Sequence, residues 1–266
     1  MRAAREKAGY TQTTAAKAIH SNLSSMIRFE GGQLGLKQIE VFALMDLYGI
    51  TDQAERERLD QLRAEGRLRG WWAPHRTALS DPYRTFIGLE DAADTRLDFT
   101  CLHMPGLLQT EAYARAVLDD SIPPLPAAVV DERVTVRMKR QEVITRVERP
   151  LRVHAVLDEG AVRRRVGGTE VWRGQLEHLL KLSTWPHITI QVLPLAAGAP
   201  ASAAPVFVLL EFEEGLPDVA YLDLPTGGLF EEGEEAQPFR QLWDELRTKA
   251  LAPSMSTAMI REIMQS

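Results

Sequence analysis

The stretch TQTTAAKAIHSNLSSMIRFEGG, residues 11–32, is either a single amphipathic segment or two short helices meeting at a tight polar turn. The second arrangement needs a small residue where the helices cross, a polar turn, and a second helix whose early residues can reach base edges. Ala15 and Ala16 are the small residues, and His20-Ser21-Asn22 is the turn. Asn22, Leu23, Ser24, Ser25 and Arg28 then present themselves to a DNA groove, with Met26 and Phe29 facing inward. Gln12 opens the first helix, where its side chain and the helix N-terminus can approach a phosphate.

Around this stretch the first third of the chain reads as five helix-length pieces bounded by Gly, Ser or Thr. In LKQIEVFALMDLYG the spacing of Ile39, Phe42, Ala43 and Leu47 predicts one buried face. TDQAERERLDQLRAEG carries mixed charge around Leu59 and Leu62 and reads as a solvated helix with Thr51 as its N-cap. GRLRGWWAP breaks the pattern, so a helical domain is expected over 1–66 and a second domain over 71–266. The net charge of −6 divides accordingly. Residues 1–50 hold six Lys and Arg against four Asp and Glu, and the surplus of acid lies beyond residue 70. Only the N-terminal piece has the sign that phosphate favours.

Beyond residue 71 the texture mixes longer helices with β-branched runs. GLEDAADTRLDF reads as a helix, HMPGLLQ as a loop, and TEAYARAVLDD as a helix capped by Thr110. DERVTVRMKRQEVITRV is helical by its apolar spacing and is ended by Pro150. LRVHAVL, HITIQVLPL, VFVLLEFEE and VAYLDL read as strands, the last two joined through Gly215 and Pro217. DEGAVRRRVGG, starting at Asp158, and TEVWRGQLEHLLKLST are helices between strands, and two more helices end the chain. LAAGAPASAAP is a low-complexity connection. The expected class is α+β: an all-α helix-turn-helix bundle of about five helices, then a larger mixed domain.

The stretch 11–32 resembles the XRE-type helix-turn-helix regulators through Thr11-Gln12, Ala16, Arg28, Glu30 and Gly32. The resemblance implies an ion pair between Arg5 and Glu30. It departs at His20, where a glycine is usual, and at Leu23, where a base-reading glutamine is common. The remainder resembles the C-terminal domain of antitoxin-like actinobacterial regulators. That likeness rests on WW at 71–72, GLE at 88–90, PGLLQTEAYARA at 105–116, RMKRQEVI at 137–144, LDEGAVRRRVGG at 157–168, QLEHLL at 175–180 and ITIQVLPLAAG at 190–198.

Two readings stand beside each other at each of the remaining motifs. Pro105-Gly106 turns the chain so that Leu107, Leu108, Gln109 and Tyr113 form either a tight core corner or a ligand or partner surface. Arg137, Arg140 and Gln141, on one helix at i, i+3 and i+4, either grip an anion or form a solvated face. Trp71-Trp72 is an interdomain wedge or a partner site. Asp158 and Glu159 suit capping, and Arg163, Arg164 and Arg165 point around their helix as surface charges.

No G-x-S-x-G, P-loop, G-x-G-x-x-G or H-E-x-x-H occurs, and the six histidines have no ligand spacing. Lone Cys101 cannot form an internal disulfide. No apolar run nears the roughly 20 residues that span a bilayer, and the N-terminus lacks a secretory h-region. The sequence thus predicts a cytoplasmic, non-enzymatic regulator that binds double-stranded DNA as a homodimer, without a cofactor or a metal. Its C-terminal domain is expected to sense a ligand or a protein. The alternative is an antitoxin-like protein that binds a small partner protein, its DNA contact being autoregulatory.

Overall fold

A computed structural model describes residues 1–30, 35–67, 71–75, 78–198, 205–213, 217–224 and 227–265. The chain divides into two compact units, Met1–Pro74 and His75–Ser266, which leaves Trp71 and Trp72 on the N-terminal side of the division. The first unit is helical and the second packs helices on a mixed sheet, so the whole is α+β.

The first unit contains α1 (Arg2–Lys7), α2 (Gln12–Ala18), α3 (Leu23–Glu30), α4 (Gln38–Leu47) and α5 (Gln53–Arg67). Its core joins Ala15, Ala16 and Met26 to Val41, Leu44, Met45 and Tyr48. The buried face of α4 is therefore one step out of phase with the expected one. Val41, Leu44, Met45 and Tyr48 face inward, Phe42, Ala43 and Leu47 are half-buried, and Ile39 is 76% exposed. Apolar residues surround α4 on every side, so periodicity alone leaves its phase open. At α5 the N-cap is Asp52 rather than Thr51, because the Asp52 carboxylate accepts from the Glu55 amide at 2.8 Å.

The second unit is built on a six-stranded sheet of order β3-β2-β1-β4-β5-β6. The strands are β1 (Thr95–Thr100), β2 (Arg152–Asp158), β3 (Ile188–Leu193), β4 (Phe207–Glu211), β5 (Val219–Leu224) and β6 (Gly227–Glu232). β1, β2 and β3 are parallel, whereas β4, β5 and β6 continue antiparallel from the other side of β1. Its helices are α6 (Asp81–Ala92), α7 (Glu111–Asp119), α8 (Ala127–Arg140), α9 (Glu142–Thr145), α10 (Glu159–Arg163), α11 (Gly168–Leu182), α12 (Gln237–Lys249) and α13 (Pro253–Gln265).

Strand alternation sorts the side chains into two apolar layers. One face joins Val153, Ala155, Ile190, Val208 and Tyr221 to Phe86 of α6, Tyr113 of α7, Trp172 and Leu176 of α11 and Ile260 of α13. The opposite face joins Leu97, Phe99, Val156, Phe207 and Leu209 to Trp243 and Leu246 of α12. Helices thus cover both sides of a sheet whose central strands are buried.

GLEDAADTRLDF is not one helix. Its first part ends α6, and Thr95–Thr100 is the central strand β1. Arg96 and Asp98 gave this segment a helix-like charge pattern, yet both are buried, on the same strand face at i and i+2. β6, with only Leu229 and Phe230 as apolar residues, was not anticipated. Thr110 and Asp158 do cap α7 and α10, accepting from the amides of Tyr113 and Gly160. Gly215, Gly32 and residues 199–204 of the low-complexity connection lie outside the described residues. Among the described residues, no helix is long and apolar enough to cross a membrane.

Candidate functional site

In the first unit, α2 and α3 are set by their caps. Thr11 accepts from the Thr14 amide at 3.1 Å, and Asn22 from the Ser25 amide at 2.8 Å, so Asn22 spends its carbonyl oxygen opening α3. Between the helices the Ser21 amide donates back to the Ala16 carbonyl at 2.8 Å, with His20 left-handed at φ 53°. This is a Schellman closure with histidine where glycine is favoured. Leu23 is 43% exposed at the start of α3, Ser25 is half-buried, and Met26 is buried. The side chains of Ser24 and Arg28 lie outside the described residues.

Arg5 and Glu30 meet. Arg5 Nε and Nη2 donate to the two oxygens of Glu30 at 2.7 and 3.0 Å, a bidentate pair whose side chains are 9% and 3% exposed. Gln12 joins them, its Nε2 donating to Glu30 Oε2 at 2.8 Å. Burial by itself would raise the Glu30 carboxyl, but the Arg5 and Gln12 hydrogen bonds outweigh it and hold the group below the usual carboxylate range. Burial, with Glu30 nearby, pushes the Tyr48 phenol up to about 12. Gln12 thus positions the end of α3 from the start of α2. Trp71 and Trp72, both half-buried, pack edge to face at 5.7 Å.

In the second unit, four charged side chains form a buried network beneath a cleft. Arg96 grips Asp98 through Nε and Nη2, each at 2.6 Å, and its Nη1 meets Glu90 Oε1. Arg140 approaches the same carboxylate, Nη2 to Oε1 at 3.1 Å and Nε to Oε2 at 2.5 Å, the latter an ion pair rather than an aligned hydrogen bond. All four are more than nine-tenths buried, and two cations balance two anions. Phe86 lies beside both guanidiniums, 5.5 Å from Arg96 and 5.2 Å from Arg140, and stacks on Tyr221 at 4.1 Å.

Above the network opens a cavity of about 100 Å³ at the carboxyl end of β1, walled by Phe86, Phe207 and Tyr221, with Arg137, Tyr83 and Asp223 also lining it. A second cavity, of about 140 Å³, shares Tyr83, Arg137 and Asp223. Burial would raise the Tyr83 phenol, but the guanidiniums of Arg140 and Arg137 outweigh it and hold it below its ordinary value. Burial and the Asp223 carboxylate push Tyr221 up. Arg137 and Asp223 thus face the same cleft with opposite charge.

Residues 83–262 match the family model described as Domain of unknown function (DUF5753). The chain belongs to the DUF5753 family. Residues 1–59 match a model described as Helix-turn-helix domain, which points to DNA as the partner of the first unit. No curated protein and no solved structure matches the chain.

Within the DUF5753 domain the surface reading of the PGLLQ corner is corrected. Leu107, Leu108 and Tyr113 are fully buried, because the corner packs into the main core beside Phe86 and Trp172. Gln109 is buried too, and its Nε2 donates to the Met104 carbonyl at 2.7 Å. Two glutamines staple the corner from outside it. Gln141 Nε2 donates to the carbonyls of Gly106 and Gln109 at 3.1 and 2.7 Å. Gln175, fully buried, donates to the Leu108 carbonyl and accepts from the Thr110 amide, both at 2.7 Å.

Neither is the face of Arg137, Arg140 and Gln141 solvated. Arg140 is 3% exposed in the ionic network, and half-buried Arg137 donates Nη1 to Gln109 Oε1 at 3.0 Å. Arg163, Arg164 and Arg165 are exposed. Sequence reasoning missed Tyr83, Glu90, Arg96, Asp98, Gln175, Tyr221 and Asp223. Glu90 and Gln175 sat in the quoted GLE and QLEHLL motifs. The only other signal was Arg96-x-Asp98, a strand-spaced charge pair.

Proposed function

We propose that this DUF5753 protein is a sequence-specific transcriptional regulator of XRE type. It reads double-stranded DNA with α3 and senses a ligand or protein partner through its C-terminal domain. The observation that carries the reading is the coupling of α2 to α3: Gln12, Arg5 and Glu30 lock the two helices while Leu23 is left exposed at the front of α3. A docked helix pair with an outward-facing second helix is the element that enters a major groove. The chain acts as a homodimer, since two-fold sites ask for two readers, with the C-terminal domain as the dimer contact. It is cytoplasmic, where its DNA is, and it carries no enzymatic activity.

Gln12, through the amide hydrogen its Glu30 bond leaves free, Asn22 and the N-terminus of α2 position phosphate, while Leu23, Ser24, Ser25 and Arg28 read or flank bases. Leu23 offers only apolar contact, suited to a thymine methyl. The test is selection of bound duplexes from a random pool, followed by competition against scrambled DNA. Ser24→Ala and Arg28→Ala should cost on the order of 1–3 kcal/mol mainly on the selected site, whereas Gln12→Ala should weaken both duplexes alike. Recovery of no enriched motif would end the regulator reading. The antitoxin-like alternative would gain if a small protein co-purified stoichiometrically from the native host.

A further inference from the structure

We propose that the cleft of the second unit binds a small organic monocarboxylate, anchored by Arg137, with its apolar body against Phe86, Phe207 and Tyr221. The proposal rests on the ligand-sensing reading above and names the ligand class.

Charge accounting singles out Arg137. Glu90, Asp98, Arg96 and Arg140 form a closed neutral set, so none of them needs a further ion. Arg137 faces the same cavity and makes no ion pair among the described residues. Its hydrogen bond goes to a neutral amide, Gln109 Oε1. A guanidinium carries five donors in a planar fork that matches a carboxylate, and one Nη1 bond leaves most of that fork available. Gln109 cannot swing away, because its own Nε2 is held by the Met104 carbonyl and its backbone carbonyl by Gln141. The anchor is therefore pre-oriented before any ligand arrives.

The walls set the rest of the ligand. Phe86, Phe207 and Tyr221 line the cavity with aromatic carbon among its polar groups, which suits an apolar body better than a bare inorganic anion. The cavities hold about 100 and 140 Å³, and an apolar cavity of about 150 Å³ accommodates benzene. Both are smaller than that, so one ring or a short aliphatic chain is the upper limit, and a nucleotide does not fit. Asp223, exposed, lining both cavities with Arg137 and accepting from Tyr221 Oη at 3.3 Å, would repel a second carboxylate.

The experiment measures thermal midpoint and calorimetric affinity of the full chain with benzoate, phenylacetate and hexanoate, with benzamide and inorganic phosphate as controls. At least one carboxylate should raise the midpoint progressively with concentration, and benzamide should bind at least about tenfold more weakly than benzoate. Arg137→Gln should lose at least about tenfold in affinity. Val206→Phe, which fills the cavity while keeping Arg137, should lose binding as well. Should Arg137→Gln alter the unliganded midpoint, Val206→Phe and the wild-type comparison decide.

No shift with any of the three acids overturns the proposal. So does benzamide matching benzoate, phosphate matching the organic acids, or unchanged binding by Arg137→Gln. The same samples are titrated with the duplex selected above. Carboxylate binding that leaves DNA affinity unchanged would keep the site and remove the sensing reading. DNA selection without carboxylate binding would keep the regulator and remove the site.

Discussion

Arg140 Nε lies 2.5 Å from Glu90 Oε2, joining two residues fifty positions apart, both more than nine-tenths buried. The carboxylate is shared, since Arg96 approaches it from β1. Removing it strands two guanidiniums against one remaining anion, Asp98. Glu90→Gln should therefore lower the stability of the second unit by roughly 3–5 kcal/mol, the usual cost of breaking a buried pair from one side. Urea denaturation followed by circular dichroism measures it, and an unchanged midpoint would show that the network contributes nothing.

In the first unit the same logic predicts a pH dependence. Glu30 is held below the ordinary carboxylate range by Arg5 and Gln12, against the opposing effect of burial. A lowered folded value means that the stabilisation is complete above the unfolded carboxylate pKa of about 4.3 and is lost as pH falls through the folded value. Wild type should lose midpoint below about pH 5 more steeply than Glu30→Gln. At neutral pH, Glu30→Ala should cost roughly 3–5 kcal/mol. Parallel pH curves for wild type and Glu30→Gln would contradict the pairing.

His20 carries a side chain at φ 53°, in the turn that joins α2 to α3. A Cβ in that region costs on the order of 1 kcal/mol relative to glycine. His20→Gly should raise the melting temperature of the first unit, because the Schellman bond from Ser21 to Ala16 survives the change. A fall in melting temperature would mean that the imidazole contributes a contact outweighing the strain.

Gln175 bonds both sides of the 105–110 corner, so Gln175→Leu leaves the Leu108 carbonyl and the Thr110 amide without their partner. Each orphaned group costs about 1–3 kcal/mol. Hydrogen exchange at the Thr110 amide should accelerate beyond what the global loss of stability explains. Exchange that merely tracked global stability would place the support of the corner elsewhere.

Local chemistry made much of the chain legible. Caps at Thr110 and Asp158, small residues at 15 and 16, and the alternating runs at 152–158 and 188–193 all act within a few residues of themselves, so their spacing identifies the element. Arg5 and Glu30 meet as the family resemblance implies, whereas the Gln12–Glu30 bond that ties α2 to α3 emerges only in the fold.

What only the tertiary structure decided is everything whose meaning depends on a distant partner. Arg96 and Asp98 look like solvated helix charges until Glu90 and Arg140 arrive to neutralise them inside a central strand. α4 is apolar all round, so only packing chose Val41 over Ile39 for its inner face. Arg137 reads as one more surface arginine along α8. It becomes a half-buried, pre-oriented cation because Gln109, set by a corner twenty-eight residues earlier, fixes it at the edge of a cavity. Periodicity carries the phase of an element only where one side is polar. The pairing of buried charges is a long-range electrostatic requirement that no local pattern contains.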